Sequence, residues 1–343
     1  MLELSGLVFP VITVLSLVAC LHLYYGQLTV KSGVVISAVF VGLAIVREWS
    51  SGGFYHGTDR IPGKTVVITG ANTGIGKQTA RDLARRGGRI ILACRDVVKG
   101  EAAAREIIRD TGNNNVFCWK LDLSSFESIR EFANKFNDNE PRLDVLINNA
   151  GIMLCPHMLT KDGLEMQIGV NHFGHFLLTN LLMDKLKSSS PSRIVIVSSL
   201  AHRAGVINFE DLNSEKSYGR VSAYCQSKLA NILHALELTK RLEGTGVTAN
   251  SLHPGAVDTE LGRYLVTGLP KVMLASILAP FVKSPAQGAQ TSIRLAVDPS
   301  LETVSGKYFS DCKDTKTSAA ALDENVAKRL WEVSEKITNS TYP

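Results

Sequence analysis

Thr65-Val66-Val67-Ile68-Thr69 runs straight into Gly70-Ala71-Asn72-Thr73-Gly74-Ile75-Gly76, and an amphipathic stretch over residues 77–86 begins at once. A β-branched run, a glycine turn and a helix start make an anion site, because backbone N–H groups and the positive helix end face the same point. The missing side chains at Gly70, Gly74 and Gly76 permit tight turning and close approach to a pyrophosphate, with Asn72, Thr73 and Ile75 completing the loop. The spacing is Gly-x-x-x-Gly-x-Gly rather than the commoner Gly-x-Gly-x-x-Gly. A plain strand-to-helix turn also uses glycine, so the neighbouring sequence has to decide.

Outward from that loop, β-branched runs alternate with helical patterns. The runs are Thr65–Thr69, Arg89–Cys94, Val116–Lys120, Val145–Asn148, 193–198 and 247–252; the helical stretches are 77–86, 99–110, 125–136 and 223–242. This alternation predicts an α/β fold, a parallel sheet covered by helices on both faces in right-handed βαβ units. The second run ends Cys94-Arg95-Asp96, where a dinucleotide fold places the group that meets the adenosine ribose. An acid there suits the 2′-hydroxyl of NAD, whereas the Arg95 guanidinium suits the 2′-phosphate of NADP, which is the cofactor favoured.

The 343 residues are 45% hydrophobic and 20% charged, enough to bury a large core and too apolar for a disordered chain. Net charge is +5 and no Lys/Arg-dense run occurs, which excludes the basic footprint of a nucleic-acid binder. Six cysteines, at 20, 94, 118, 155, 225 and 312, show neither a CxxC pair nor a His/Cys ligand spacing, so no metal is expected.

The mean hydropathy of +0.09 is raised by the first fifty residues. No charge occurs between Leu4 and Val30, and a second apolar stretch follows Lys31 over residues 32–46. About 20 apolar residues cross the hydrocarbon core, so residues 1–47 read as a membrane anchor, one span or a two-span hairpin. Residues 48–62 read as a linker, 63–335 as the nucleotide-binding domain with a substrate loop over 256–284, and 336–343 as a tail. Arg47, Arg60 and Lys64 follow the apolar block against Lys31 before its second half, which directs the domain to the cytosolic side. The expected location is the endoplasmic reticulum membrane. A mitochondrial membrane is the alternative, although an Arg-rich presequence is missing.

Ala223-Tyr224-Cys225-Gln226-Ser227-Lys228 sets Tyr224 and Lys228 four apart, on one side of a helix. A free phenol titrates near 10, and a neighbouring ammonium favours its phenolate. Such a pair arises often by chance, so its company matters: Ser198-Ser199 ends one strand run, while Asn148-Asn149-Ala150-Gly151 and Val170-Asn171-His172 close other segments.

Together these residues resemble the short-chain dehydrogenase/reductase family over about residues 62–335. The resemblance is carried by Thr69 to Gly76, Asp122, Asn148-Asn149-Ala150-Gly151, Asn171, Ser199, Tyr224-x-x-x-Lys228 and Pro254-Gly255, in that order. Within the family the chain is similar to the membrane-anchored retinol dehydrogenases, through Ala93-Cys94-Arg95-Asp96, the 170–176 stretch, the 223–228 stretch and Ser305-Gly306-Lys307-Tyr308-Phe309. Gly76-Lys77-Gln78-Thr79-Ala80 and Arg86-Gly87-Gly88 resemble the type-thirteen-like branch most.

The resemblance implies a single Rossmann-type doubly wound parallel sheet of about seven strands with helices on both faces, preceded by the N-terminal membrane segment, and a catalytic set of Tyr224, Lys228, Ser199 and Asn171. Tyr224 would give or take the proton at the substrate oxygen, and Ser199 would hold that oxygen. Lys228 would lower the Tyr224 pKa and hold the nicotinamide ribose, and Asn171 would anchor a water leading from Lys228 to solvent. Asp122 would contact adenine, Asn149 the adenosine ribose side, and Pro254, Gly255 and Thr259 the nicotinamide. The implied reaction is NADP(H)-dependent interconversion of retinal and retinol, in the reducing direction, on a lipophilic carbonyl taken from the membrane. Related enzymes pair as dimers or tetramers, which makes a homo-oligomer an expectation.

Two departures stand out. Thr73 occupies a position where many NADP-preferring relatives carry a basic residue, and the Ser199–Tyr224 separation is long, leaving Ser198 as an alternative to Ser199. Sterols, fatty aldehydes or lipid-peroxidation products are alternative substrates. A silent NADPH-binding regulator is the rival from another class. His172, His175, His202 and His253 lack a carboxylate or Cys partner at ligand spacing and read as packing or capping residues. Cys225 lacks an activator other than Lys228, and Asp122 is open to a second reading as a helix cap.

Overall fold

The computed structural model describes residues 50–264 and 282–343, together with Ala38, Val41, Gly42 and residues 46–48. The anchor expected over 1–47 lies almost wholly outside the described residues, as does the 265–281 part of the substrate loop. Among the described residues no helix is long and apolar enough to cross a membrane. The compact unit Gly53–Leu269 with Lys283–Pro343 carries the sheet.

Six strands, β1 (Thr65–Thr69), β2 (Arg89–Cys94), β3 (Val116–Lys120), β4 (Val145–Asn148), β5 (Ser192–Val197) and β6 (Val247–His253), alternate with helices. They are followed by β7 (Tyr308–Ser310) and β8 (Lys313–Asp314). The sheet order is β3-β2-β1-β4-β5-β6-β7-β8, with every pairing parallel except β7 to β8. The sheet therefore has eight strands rather than the seven expected. The extra one is a two-residue antiparallel edge, too short for any alternation of polarity to register.

Helices cover both faces because the strands are apolar on both. Val66, Val67 and Ile68 are all fully buried, and alternate residues of a strand point to opposite faces. Val66 and Ile68 pack with α1 (Gly74–Arg85), α2 (Val97–Thr111) and α8 (Pro285–Val297) through Leu83, Ile107 and Ile293. Val67 faces α3 (Phe126–Asn139), α5 (His175–Leu181), α6 (Met183–Ser188) and α7 (Arg220–Arg241) through Phe132, Phe176, Met183 and Leu238. Each such side chain contributes about 1.5–3 kcal/mol by leaving water.

Local signals set the helix ends. Asp96 accepts the Lys99 N–H at the start of α2, which stops at Gly112 in the left-handed region. Ser284 and Gln287 form a reciprocal cap on α8 with Pro285 in its first turn. The last helix, α9 (Glu324–Thr338), buries Ala327, Leu330 and Trp331 in the core. Residues 53–62 lie against the same unit: Arg86 donates to the Gly57 and Asp59 carbonyls at 2.9 Å, and Ile61 is buried.

Candidate active site

The chain order runs β3, β2, β1 to one side of the sheet and then β4, β5, β6 to the other, so a crevice opens where β1 meets β4. Ligands of such sheets bind there, outside the carboxyl ends of the strands. A cleft of about 450 Å³ occupies that place, lined by Gly70 and residues 72–76, by Arg95, Asp122 and Asn149, and by Ser199, Tyr224, Lys228, Pro254, Gly255 and Thr259.

The glycine loop is shaped as its sequence demands. Gly70 and Gly74 have φ of 65° and 57°, the left-handed region. A Cβ on Gly76 would lie 2.6 Å from Asn149 Nδ2 and 2.7 Å from the Gly70 oxygen. Thr73 precedes α1 without a side-chain cap bond, so the first-turn amides that line the cleft are unclaimed by a capping side chain. Arg95 is exposed on the cleft wall. This cradle fits a dinucleotide phosphate, with a guanidinium beside it.

Asn149 is drawn inward: Nδ2 donates to the Thr69 carbonyl at 2.7 Å, and its backbone N–H donates to Thr69 Oγ1 at 2.9 Å. It thus holds the glycine loop closed from below. Asp122 accepts from the Ser124 N–H at 3.0 Å and from Ser124 Oγ at 2.7 Å. The helix cap of α3 is Ser125, which accepts from the Ser128 N–H, so Asp122 braces the turn at the cleft wall instead.

Tyr224 and Lys228 project from α7 as their spacing requires. Lys228 Nζ donates to the Val197 carbonyl at 3.2 Å and lies 5.8 Å from the centre of the Tyr224 ring. The direction of the Tyr224 shift differs from expectation. Burial pushes its phenol up to about 12, while the Ser199 hydroxyl pulls the other way. The same burial brings Lys228 down to about 8. Desolvation is the largest cause of both shifts, and it favours the protonated phenol.

Both serines line the cleft, but their hydroxyls are engaged differently. Ser198 is buried and its hydroxyl donates to the Lys228 carbonyl at 2.6 Å. Ser199 Oγ accepts from the Ala201 N–H at 3.2 Å and lines the cleft beside Tyr224.

Asn171 sits in a π-helical turn, Gly169–Gly174, between α4 (Met166–Ile168) and α5. Its Oδ1 accepts the Ile152 N–H at 2.8 Å, and its Nδ2 donates to the Ile152 carbonyl and to Ser227 Oγ, both at 2.9 Å. The side chain therefore locks the turn, and π turns recur where a site needs local adjustment.

Several participants escaped the reading of the sequence. Thr69 receives two backbone N–H groups beneath the loop. Ser227 is the Asn171 partner, and Met158 lines the cleft, as do Arg263 and Tyr264 from within the expected 256–284 loop. Lys283, buried and paired with Asp311, sits under Gly255, where a Cβ would come within 3.0 Å of its ammonium. Only the Ser227 signal was local, since it lies one residue before Lys228 on the same helix. Cys225 is buried and its thiol pKa is raised by burial, the opposite of an activated nucleophile.

Residues 64–269 match the short chain dehydrogenase family. Retinol dehydrogenase 13 of Homo sapiens is 54% identical over 305 residues, covering 87% of this chain and 92% of that protein. Retinol dehydrogenase 12 of the same species is 55% identical over 84% of this chain and 90% of that protein. A solved protein from Mycobacterium paratuberculosis superposes with a TM-score of 0.70 at 39% identity, over 85% of this chain and 99% of its own. Pseudomonas aeruginosa RhlG, solved as an NADP complex, shares the fold at a TM-score of 0.60 and 23% identity, over 74% of this chain and 97% of its own. With its sequence and its fold shared in this way, the chain belongs to the short-chain dehydrogenases, in the retinol dehydrogenase group, and is an alcohol-acting oxidoreductase.

Proposed function

We propose that the protein is an NADP(H)-dependent oxidoreductase that interconverts retinal and retinol, working as a reductase. The single observation that carries this reading is the meeting of Ser199, a protonated Tyr224 and Lys228 in the cleft that holds the glycine loop and Arg95. The retinoid assignment draws on the retinol dehydrogenases it resembles.

The nicotinamide, when bound, supplies the hydride in reduction or takes it up in oxidation. Ser199 orients the substrate carbonyl oxygen by hydrogen bond, and Tyr224 gives it the proton as charge develops there. A phenol held near 12 is in the form a reductase needs, since it begins with the proton to be delivered. Lys228, with Asn171 nearby, returns a proton to Tyr224 from solvent. Arg95 selects the 2′-phosphate, so Arg95→Ala weakens NADPH ten- to a hundredfold, about the size of hydrogen bonds to a charged group, and leaves NADH unchanged.

Residues 1–47 act as the anchor, setting the domain on the cytosolic face of the endoplasmic reticulum membrane, with a mitochondrial membrane as the alternative. Such an anchor suits a substrate that partitions into the bilayer, and the apolar 256–284 loop suits its capture. The test is steady-state reduction of all-trans-retinal by detergent-solubilised protein, compared with a sterol ketone and a fatty aldehyde, using NADPH and NADH. Retinal with NADPH is expected to give the highest kcat/KM. A sterol or fatty aldehyde ahead of retinal, or NADH ahead of NADPH, overturns the corresponding half of the assignment.

A further inference from the structure

We propose that His175 is a positioning residue for both halves of the site, holding the Asn171 carbonyl on one side and the Thr69 hydroxyl on the other. The inference rests on the reading of Asn171 as part of the proton path. His175 is the first residue of α5 and is 2% exposed. Its Nδ1 lies 3.0 Å from the Asn171 carbonyl oxygen and its Nε2 lies 2.8 Å from Thr69 Oγ1.

Counting donors fixes which way each bond runs. Thr69 Oγ1 accepts the Asn149 and Ala150 N–H groups, both at 2.9 Å. A hydroxyl has two lone pairs and one hydrogen, so its hydrogen alone remains. That hydrogen has two acceptors in range, the Ile147 carbonyl at 3.5 Å and His175 Nε2 at 2.8 Å. The shorter bond wins, and Nε2 is an acceptor. The ring proton is therefore on Nδ1, which donates to Asn171. Burial keeps the ring neutral, with its pKa brought down to about 4.

One imidazole thus joins β1, at the foot of the nucleotide loop, to the π turn that presents Asn171. The Asn171 side chain is already engaged by Ile152 and Ser227. The backbone carbonyl is the atom left for His175 to steer.

The two arms come apart by substitution. In His175→Asn the shorter amide reaches the Nδ1 position and keeps the Asn171 bond. In His175→Gln the longer amide reaches the Nε2 position and keeps the Thr69 bond. Full-length variants in detergent are read by NADPH affinity, from quenching of intrinsic fluorescence, and by kcat for retinal with its solvent isotope effect. His175→Asn is expected to weaken NADPH about tenfold with kcat held, the scale of one unmade buried hydrogen bond. His175→Gln is expected to lower kcat about tenfold with a changed isotope effect and NADPH affinity held. Equal losses in both variants, or a fall in melting temperature with affinity and kcat unchanged, overturn the proposal. If wild-type protein binds NADPH but does not turn over retinal, the substrate reading fails separately. The Asn and Gln variants then still decide the Thr69 arm by affinity, a difference between them supporting it and equality overturning it.

Discussion

At the scale of single residues, the cleft works by keeping water away from groups that water would make ordinary. Burial raises Tyr224 and lowers Lys228, so the phenol starts protonated while the ammonium sits close to its own titration. Lys228 carries its charge below about 8 and loses it above, whereas an unperturbed lysine keeps it to about 10.4. If the charge is needed to hold the nicotinamide ribose, kcat/KM for NADPH falls as pH rises through about 8 in the free enzyme. The check is a pH profile of that constant. In Lys228→Arg the falling limb moves out of the accessible range, and a limb that stays in place assigns the titration elsewhere. The placing of Tyr224 and Lys228 on one helical face and of Ser198-Ser199 at a strand end was legible from spacing, whereas their grouping as one set came from the family resemblance. The sense of the Tyr224 shift was not legible, because desolvation is set by the surrounding packing rather than by the nearest charge.

At the scale of elements, β1, the glycine loop and α1 form one device. The loop is closed by the Asn149 amide and by its own backbone, and its glycines are unequal in what they tolerate. Gly74→Ala places a Cβ 3.1 Å from Thr259 Cγ2 at positive φ, and left-handed backbone costs a non-glycine residue about 1–2 kcal/mol. Gly76→Ala collides with Asn149 and with the Gly70 carbonyl. Both should weaken NADPH binding, Gly76→Ala more, with a lowered unfolding midpoint readable by calorimetry. Unchanged affinity in Gly76→Ala contradicts the account of the cradle. The first four strands matched their sequence runs to the residue: β1, β2 and β4 are largely buried apolar runs, and the half-buried edge strand β3 is rich in Val, Phe and Trp. Strands β5 and β6 moved by a residue at their ends. β7 and β8 went unread because three and two residues give no periodicity, and their pairing is fixed by β6.

At the scale of the whole molecule, the doubly wound sheet brings five distant segments to one crevice: the 70–76 loop, the end of β4, the end of β5, α7, and the turn after β6. The face opposite the nucleotide helices is closed by α9. Trp331 stacks edge-on against Phe176 with centroids 4.8 Å apart and lies under the Arg241 guanidinium at 4.4 Å. Trp331→Ala removes a buried aromatic and is expected to cost about 3–5 kcal/mol in denaturant titration. Because Phe176 belongs to α5, which begins at His175, looser packing there should also reach the site. This long-range coupling is not legible in a one-dimensional pattern, and neither is the joint use of Thr69 and Asn171 by one imidazole.

The most direct test is chromatographic detection of retinol made from all-trans-retinal and NADPH by the full chain in detergent, beside its Tyr224→Phe variant. The expected result is product from the wild type, a fall in kcat of about 10²–10⁴ in the variant, and equal NADPH affinity in the two. Equal turnover by both proteins contradicts the role of Tyr224, and absence of NADPH binding by the wild type contradicts the reading of the cleft itself.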